Sequence, residues 1–127
     1  MPATDAIVNA ADQLFAAIVG SDEAALEQMF DDKIAVWRVG SRRDDEKARA
    51  LRVLHWFIDV TEQRRYEILD RQLFSDGFVQ QHILRATGGN GELIALRVCI
   101  VIKLNADALI SRIDEYFDPA AMAPLMT

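Results

Sequence analysis

Four segments in the second half of the chain consist mainly of β-forming residues and are separated by short polar turns. They cover 65–75, 77–87, 92–104 and 109–117 and are rich in Ile, Leu, Val, Phe and Tyr. Such runs, bounded by Gly, Asn, Asp and Ser, are typical of β-strands. Because the turns are too short for a crossover connection, the strands are expected to form an antiparallel meander.

The first sixty residues instead repeat their apolar side chains every three or four positions, which is the period of an amphipathic helix. Capping residues and glycines suggest where these helices begin and end. The predicted elements are helices over 5–19, just after Asp22 and over 44–60, with a strand over 33–39 before the last helix. Three helices and one strand, followed by four strands, predict an α+β fold with the helices on one face of a bent sheet.

Composition limits the classes of partner. At 127 residues with 51% hydrophobic content, the chain is expected to form one domain over 1–127,. A net charge of −6 argues against nucleic acid and anionic membranes as partners,. There is no apolar run long enough to span a membrane. The lone Cys99 fits a reducing compartment, so we expect a cytoplasmic protein,.

Two local motifs and the order of elements resemble one superfamily. The motifs are Phe30–Asp32 leading into Val36–Trp37, and the ending Ile113–Asp118. Together they resemble the SnoaL-like polyketide cyclases and limonene-epoxide hydrolases of the nuclear transport factor 2-like superfamily. The resemblance implies a cone-shaped α+β fold, in which three N-terminal helices pack on a strongly curved, mostly antiparallel sheet that encloses one pocket.

The same resemblance implies positions for a site. Glu115 takes an acidic pocket position, while Gln80 and His82 fall where the epoxide hydrolases carry Arg and Asp on a central strand. Because that Arg is absent, the water-activating set of those enzymes is not reproduced. The steroid isomerases require a Tyr in the first helix and an Asp near the end of the first strand. This chain has neither, so classical ketosteroid isomerisation is not expected.

His82 and Glu115 are the candidate catalytic pair, with His82 as proton shuttle and Glu115 as its orienting carboxylate. A structural His–Glu contact or a solvent-facing pair is the competing interpretation. If Glu115 faces the pocket, strand alternation brings Ile113 and Phe117 to the same side. The further candidate substrate-binding residues, each of which could equally be an ordinary core or rim residue, are Trp37, Gln80 and His55.

No metal or other cofactor is expected. Two histidines 27 positions apart and no paired cysteines lack the ligand spacing of a zinc site,. Strand alternation puts Cys99 on the face opposite His82, which argues against a cysteine nucleophile. Arg42 and Arg43 could attract an anionic substrate to the pocket mouth, although a solvated loop before a helix is the simpler explanation of both.

Two functions remain open on the sequence. The first is a cofactor-independent lyase, isomerase, dehydratase or cyclase acting on a small apolar, oxygenated molecule. The alternative is a non-catalytic small-ligand-binding or dimeric interaction domain. A homodimer built on the outer sheet face is expected in either case, because Cys99 and Val101 alternate with charged residues on a long central strand,.

Overall fold

The computed structural model describes residues 2–126. Three α-helices and one strand precede a run of four strands, as the sequence predicts. The helices are α1 (Thr4–Val19), α2 (Glu23–Met29) and α3 (Lys47–Val60). The strands are β1 (Phe30–Arg38), β2 (Thr61–Phe74), β3 (Gly77–Gly88), β4 (Leu93–Leu104) and β5 (Ile110–Tyr116). A 3₁₀ helix over Pro119–Met126, which the sequence analysis did not predict, follows β5.

The five strands form one sheet in the order β1-β5-β4-β3-β2. Strands β2 to β5 make the expected antiparallel meander, and β1 joins β5 in parallel at the edge. The register shifts twice between β2 and β3, and again near the end of β4. Such irregularities bend a sheet, so the predicted α+β cone with a mostly antiparallel sheet is confirmed,.

Alternation along the two central strands separates the core from the outer face. Apart from Gly77 and Gly88 at its ends, the buried residues on β3 are Phe78, Gln80, His82, Leu84 and Ala86, and on β4 they are Ile94, Leu96, Val98, Ile100, Ile102 and Leu104. The apolar face of α1 packs against this inner face and contributes Ile7, Leu14, Phe15 and Ile18 to the core. His82 and the apolar row on β4 therefore both face the core.

Three predicted boundaries shift for identifiable reasons. Helix α3 begins at Lys47 instead of residue 44, because Asp45 exchanges two backbone hydrogen bonds with Val36 of β1, at 3.0 and 2.7 Å. That pairing keeps residue 45 extended. β1 starts three residues earlier than expected, directly after α2, and β2 starts at Thr61, directly after α3. Gly20 ends α1 as predicted, and Asp22 caps α2 through a bond from the Ala25 amide.

A buried arginine joins the helices to the sheet. Arg64 on β2 is 6% exposed, and its guanidinium donates to the carbonyl oxygens of Ile18 at 2.8 Å, Ile58 at 3.1 Å and Thr61 at 2.9 Å. Its other partners include the Ser21 hydroxyl. The carbonyls at the C-terminal ends of α1 and α3 carry partial negative charge, which compensates the buried cation. Among residues 2–126, no helix is both long and apolar enough to cross a membrane.

We predict that Arg64→Met lowers the free energy of unfolding by about 3 kcal/mol or more, because several buried carbonyls lose their donor at once. Urea denaturation followed by circular dichroism measures this change. Arg97→Met, on the exposed side of β4, is the matched control and should change stability little. Equal effects of the two substitutions would contradict a structural role for the Arg64 hydrogen bonds.

Candidate functional site

A mostly apolar cavity of about 200 Å³ lies between α3 and the inner face of the sheet. Its apolar lining consists of Val53, Trp56, Phe57, Leu84, Leu96, Phe117 and Met122. Three polar side chains complete the wall, namely Arg38, Tyr66 and Glu115. A largely apolar pocket with a few converging polar groups is the usual form of a small-molecule site. The cavity is therefore the candidate functional site among the described residues.

Glu115 is held beside Arg38 by the parallel pairing of β1 with β5. The two residues are register partners, so their side chains leave the sheet on the same face. Arg38 Nε lies 3.5 Å from Glu115 Oε1, while Arg38 Nη1 lies 3.3 Å from Asp45 Oδ2. Burial raises the pKa of the Glu115 carboxyl, and the Arg38 charge only partly opposes this effect,. A carboxyl with a raised pKa is suited to both accept and return a proton.

Tyr66 supplies a neutral hydroxyl at the same cavity. Burial raises the pKa of the Tyr66 phenol, and the negative charge of nearby Glu115 raises it further against the opposing Arg64. The hydroxyl therefore keeps its proton at neutral pH and can donate a hydrogen bond. Tyr66 follows Arg64 on β2, so the arginine hydrogen bonds also fix its position.

His82 lies behind Tyr66 instead of at the cavity wall. Its side chain is 1% exposed, and the Tyr66 ring packs against the imidazole at 4.9 Å with an interplanar angle of 82°. His82 Nδ1 lies 2.8 Å from Gln80 Nε2, and Gln80 Oε1 accepts from Arg71 Nε at 2.7 Å. Arg71 in turn donates to Asp12 on α1 at 2.8 Å. Since the Gln80 amide must donate, His82 Nδ1 is the acceptor and the ring proton is on Nε2.

The expected direct contact between His82 and Glu115 does not occur among the hydrogen bonds and ion pairs of residues 2–126. Glu115 pairs with Arg38, and His82 pairs with Gln80. Tyr66 interacts with both residues. Its ring contacts His82, and the negative charge of Glu115 raises the pKa of its phenol. Tyr66 comes from β2, whose pairing with β3 shifts register, and alternation along single strands could not reveal this arrangement.

The other candidates divide between the cavity and its surroundings. Phe117 lines the cavity, and Ile113 is buried on the same side of β5. Gln80 is completely buried in the hydrogen-bonded row that ends at His82 and does not line the cavity. Trp37 alternates with the buried Val36, packs against Tyr116 at 5.1 Å and donates from Nε1 to the Ser41 carbonyl at 2.9 Å. It is therefore a residue of the outer face.

His55 lies outside the cavity as well. Its side chain is 57% exposed and its Nδ1 is 2.9 Å from Glu23 of α2. Two positions separate it from both Val53 and Phe57, which places it roughly 200° around α3 from these cavity residues. Donor atoms of Glu23, His55 and Asp59 lie within 4.8 Å of one another, so this exposed group could hold a divalent cation. Within residues 2–126, none of these three residues lines the cavity.

Sequence reasoning missed Arg38 and Tyr66. A usable signal existed for Arg38, because it shares the inward parity of Ile34 and Val36 on β1, and a cation in an apolar row indicates a buried partner,. Tyr66 lies in a strand whose inner and outer residues are obscured by irregular pairing, so no comparable signal existed.

Comparisons with known proteins identify the fold through solved structures, whereas the sequence comparisons find no match. A scan against protein-family models finds no match, and a search of curated proteins finds no significant one. Among solved structures, an epoxide hydrolase of M. tuberculosis that resembles limonene-epoxide hydrolase aligns at a TM-score of 0.80 and 18% identity, covering 98% of this chain and 91% of that one.

Two further structures align over nearly the whole chain. Δ5-3-ketosteroid isomerase from Mycobacterium sp. gives a TM-score of 0.79 at 17% identity, covering 91% of this chain and 95% of that one. A candidate SnoaL-like polyketide cyclase from Shewanella denitrificans gives 0.69 at 14% identity, covering 93% and 94%. The chain thus has the fold of the nuclear transport factor 2-like superfamily, and the resemblance is confirmed at that level.

We predict that His82 stays neutral, as the Nε2–H tautomer, down to a pH of about 4. Burial, with a further contribution from the Arg71 charge, lowers the His82 pKa from 6.5 to about 4. Between those values the unfolded chain binds the proton more readily than the folded chain, so the free energy of unfolding falls as the pH drops from 6.5 to 4.

Long-range ¹H–¹⁵N spectra test this directly in a His55→Gln variant, where His82 is the one remaining histidine. Titration of that signal near 6.5, or the Nδ1–H tautomer, would contradict the Gln80 hydrogen bond.

Proposed function

We propose that the chain is a one-domain, cofactor-independent enzyme that moves a proton on a small apolar, oxygenated molecule held in the cavity. The observation that carries this proposal is the convergence of Glu115, Tyr66 and Arg38 on one apolar space of about 200 Å³. Proton transfer next to an oxygen-bearing carbon is a step common to isomerases, dehydratases and cyclases, so the proposal covers these reactions. The lone Cys99 fits the cytoplasmic location that we include in it.

Glu115 is the group that we propose to move the proton. Its ionised carboxylate removes a proton from carbon, and the electron pair moves into the adjacent carbonyl group of the substrate. The Tyr66 hydroxyl donates a hydrogen bond to the oxygen that gains charge, a type of stabilisation that is strong in an apolar site. The protonated Glu115 then returns its proton to the substrate. Arg38 lies beside the carboxylate and favours its ionised form before the first step and after the second.

His82, originally expected to shuttle the proton, has a positioning role in this proposal. Its neutral ring supports Tyr66 from behind through the edge-on contact, and Gln80 fixes the ring through Nδ1. Substitution of His82 should therefore alter catalysis through the orientation of Tyr66, leaving Glu115 as the residue on which proton transfer depends.

We predict that Glu115→Gln reduces proton transfer by about 10²- to 10⁴-fold, the usual contribution of a positioned acid or base. Cyclic ketones, β-hydroxyketones and epoxides are incubated with the protein in D₂O, and deuterium uptake and product formation are followed by NMR. Tyr66→Phe, which keeps the ring and removes the donor, should also slow the reaction. Glu62→Gln, on the exposed start of β2, is the control of equal charge change.

The alternative, a non-catalytic ligand-binding domain, gives a different result in the same experiment. Compounds would bind, as detected by saturation-transfer NMR, without deuterium uptake or product. Undiminished turnover in the Glu115→Gln variant would contradict the proposed mechanism.

We also propose that two copies of the chain associate through the outer sheet face. Val79 of β3 pairs with Val101 of β4, and Cys99 pairs with Tyr116 of β5, so these four side chains form one continuous patch. Tyr116 is 48% exposed although it is large and aromatic, and the other three are only partly buried. A continuous apolar patch of this kind is typical of a subunit interface.

We predict that Val101→Asp converts a dimer to a monomer, because it adds a second carboxylate opposite Asp114, its register partner on β5, and an interface would have to desolvate both charges,. Light scattering at micromolar concentration measures the mass. Asn9→Asp, on the exposed side of α1, adds the same charge away from the sheet and should leave the mass unchanged. A wild-type protein that is already monomeric under these conditions would refute the dimer.

A further inference from the structure

The basic residues of this acidic chain are concentrated beside the cavity. Residues 38–52 contain six basic and three acidic side chains, whereas the whole chain has a net charge of −6. The segment covers the end of β1, the following loop and the first turns of α3. It is therefore locally positive on a molecule that is otherwise negative.

Two of the three acidic side chains in this segment are neutralised by arginines. The Asp44 carboxylate accepts from Arg112 at 2.8 and 3.4 Å, and these hydrogen bonds lower the Asp44 pKa. Asp45 lies between Arg38 at 3.3 Å and Arg49 at 3.1 Å. Neither carboxylate is therefore available to offset the remaining cations.

Three guanidinium groups in the described part of the segment form no ion pair with a carboxylate. Among residues 2–126, the ion pairs and side-chain hydrogen bonds do not include the guanidiniums of Arg42, Arg43 or Arg52, and all three residues are exposed. They line a surface depression of about 690 Å³ together with Ser41, Asp44, Asp45, Glu46, Ala48 and Arg49. Of the acidic residues in this lining, Glu46 is the one whose carboxylate forms no ion pair with an arginine within residues 2–126.

The depression adjoins the cavity. Arg38 lines the cavity, and its Nη1 lies 3.3 Å from Asp45 Oδ2, which belongs to a residue of the depression. On α3, Arg49 precedes the cavity residue Val53 by four positions, and residues so spaced are neighbours on a helix surface. Residues of the two linings thus lie within about one turn of α3, which is ~5 Å along the helix axis.

We propose that the depression is an anion subsite, and that the ligand of the cavity is a small apolar molecule bearing a carboxylate, sulfonate or phosphate group. Its apolar body occupies the cavity, and its anionic group lies among Arg42, Arg43 and Arg52. Guanidinium groups bind such anions through paired hydrogen bonds, which also fix orientation. The inference rests on the proposed ligand-binding role of the cavity and specifies the class of ligand.

A pair of fluorescent probes tests this inference. N-phenyl-1-naphthylamine is neutral, and 8-anilino-1-naphthalenesulfonate adds a sulfonate to the same ring system. We expect the sulfonate to bind the wild-type protein about tenfold more tightly at low salt, the effect of a few charge-assisted hydrogen bonds. Sodium chloride should weaken the binding of the sulfonate and leave the neutral probe unaffected.

The triple variant Arg42→Gln, Arg43→Gln, Arg52→Gln should lose this preference while its affinity for the neutral probe is unchanged. The matched control, Arg65→Gln, Arg97→Gln, Lys103→Gln, removes the same charge from exposed positions on β2 and β4 and should keep the preference. If the triple variant does not fold, the single variant Arg42→Gln and the salt dependence of the wild-type protein replace it.

The possible failures are distinguishable. If neither probe binds, the ligand-binding role of the cavity is refuted, and the subsite with it. If the neutral probe binds and the sulfonate binds no more tightly, the anion subsite is wrong and the proposed function stands. Equal loss of preference in the triple variant and its control would show a general charge effect, which also overturns the subsite.

Discussion

The buried guanidinium of Arg64 links the ends of two helices to one strand. It donates to backbone carbonyls at the C-terminal end of α1 and near that of α3, and it does so from the first residues of β2. A cation in this position is tolerable only because several carbonyl dipoles surround it. The consequence is geometric, since the helices cannot shift along the sheet without breaking these bonds. The space between α3 and the sheet is therefore held open by hydrogen bonding, and Tyr66, two positions further on β2, is held at its wall.

The chemistry of the cavity follows from how few polar groups it contains. Glu115 and Arg38 face one another because β1 and β5 are parallel register partners at that point. Their separation of 3.5 Å is longer than an ordinary hydrogen bond, so the carboxylate is only partly stabilised while the surrounding aromatic and aliphatic residues desolvate it,. The same burial keeps Tyr66 protonated. One apolar environment thus gives a carboxyl able to exchange a proton and a phenol able to donate a hydrogen bond.

Structures with this fold include an epoxide hydrolase and a ketosteroid isomerase, which shows that the cone does not by itself select a reaction,. Selection depends on the few side chains that face the cavity and on what surrounds its opening. In this chain the interior is apolar with a carboxyl, and the adjacent loop concentrates arginines within a negatively charged protein. The interior would determine the reaction and the arginines the charge of the ligand, so the two properties can be altered independently.

The sequence by itself determined the helices and the meander, because these depend on local periodicity and short turns. Glu115, which the resemblance put at a pocket, and Phe117, which shares its strand parity, both line the cavity. The site as a whole was decided by the tertiary structure. The opposition of Arg38 and Glu115 depends on parallel pairing between strands more than seventy residues apart. The separation of His82 from Glu115 depends on the strand order, because β4 lies between β3 and β5 in the sheet. His55 was turned outward by the rotation of α3 about its axis, which three-dimensional packing decides and an apolar stripe indicates only approximately.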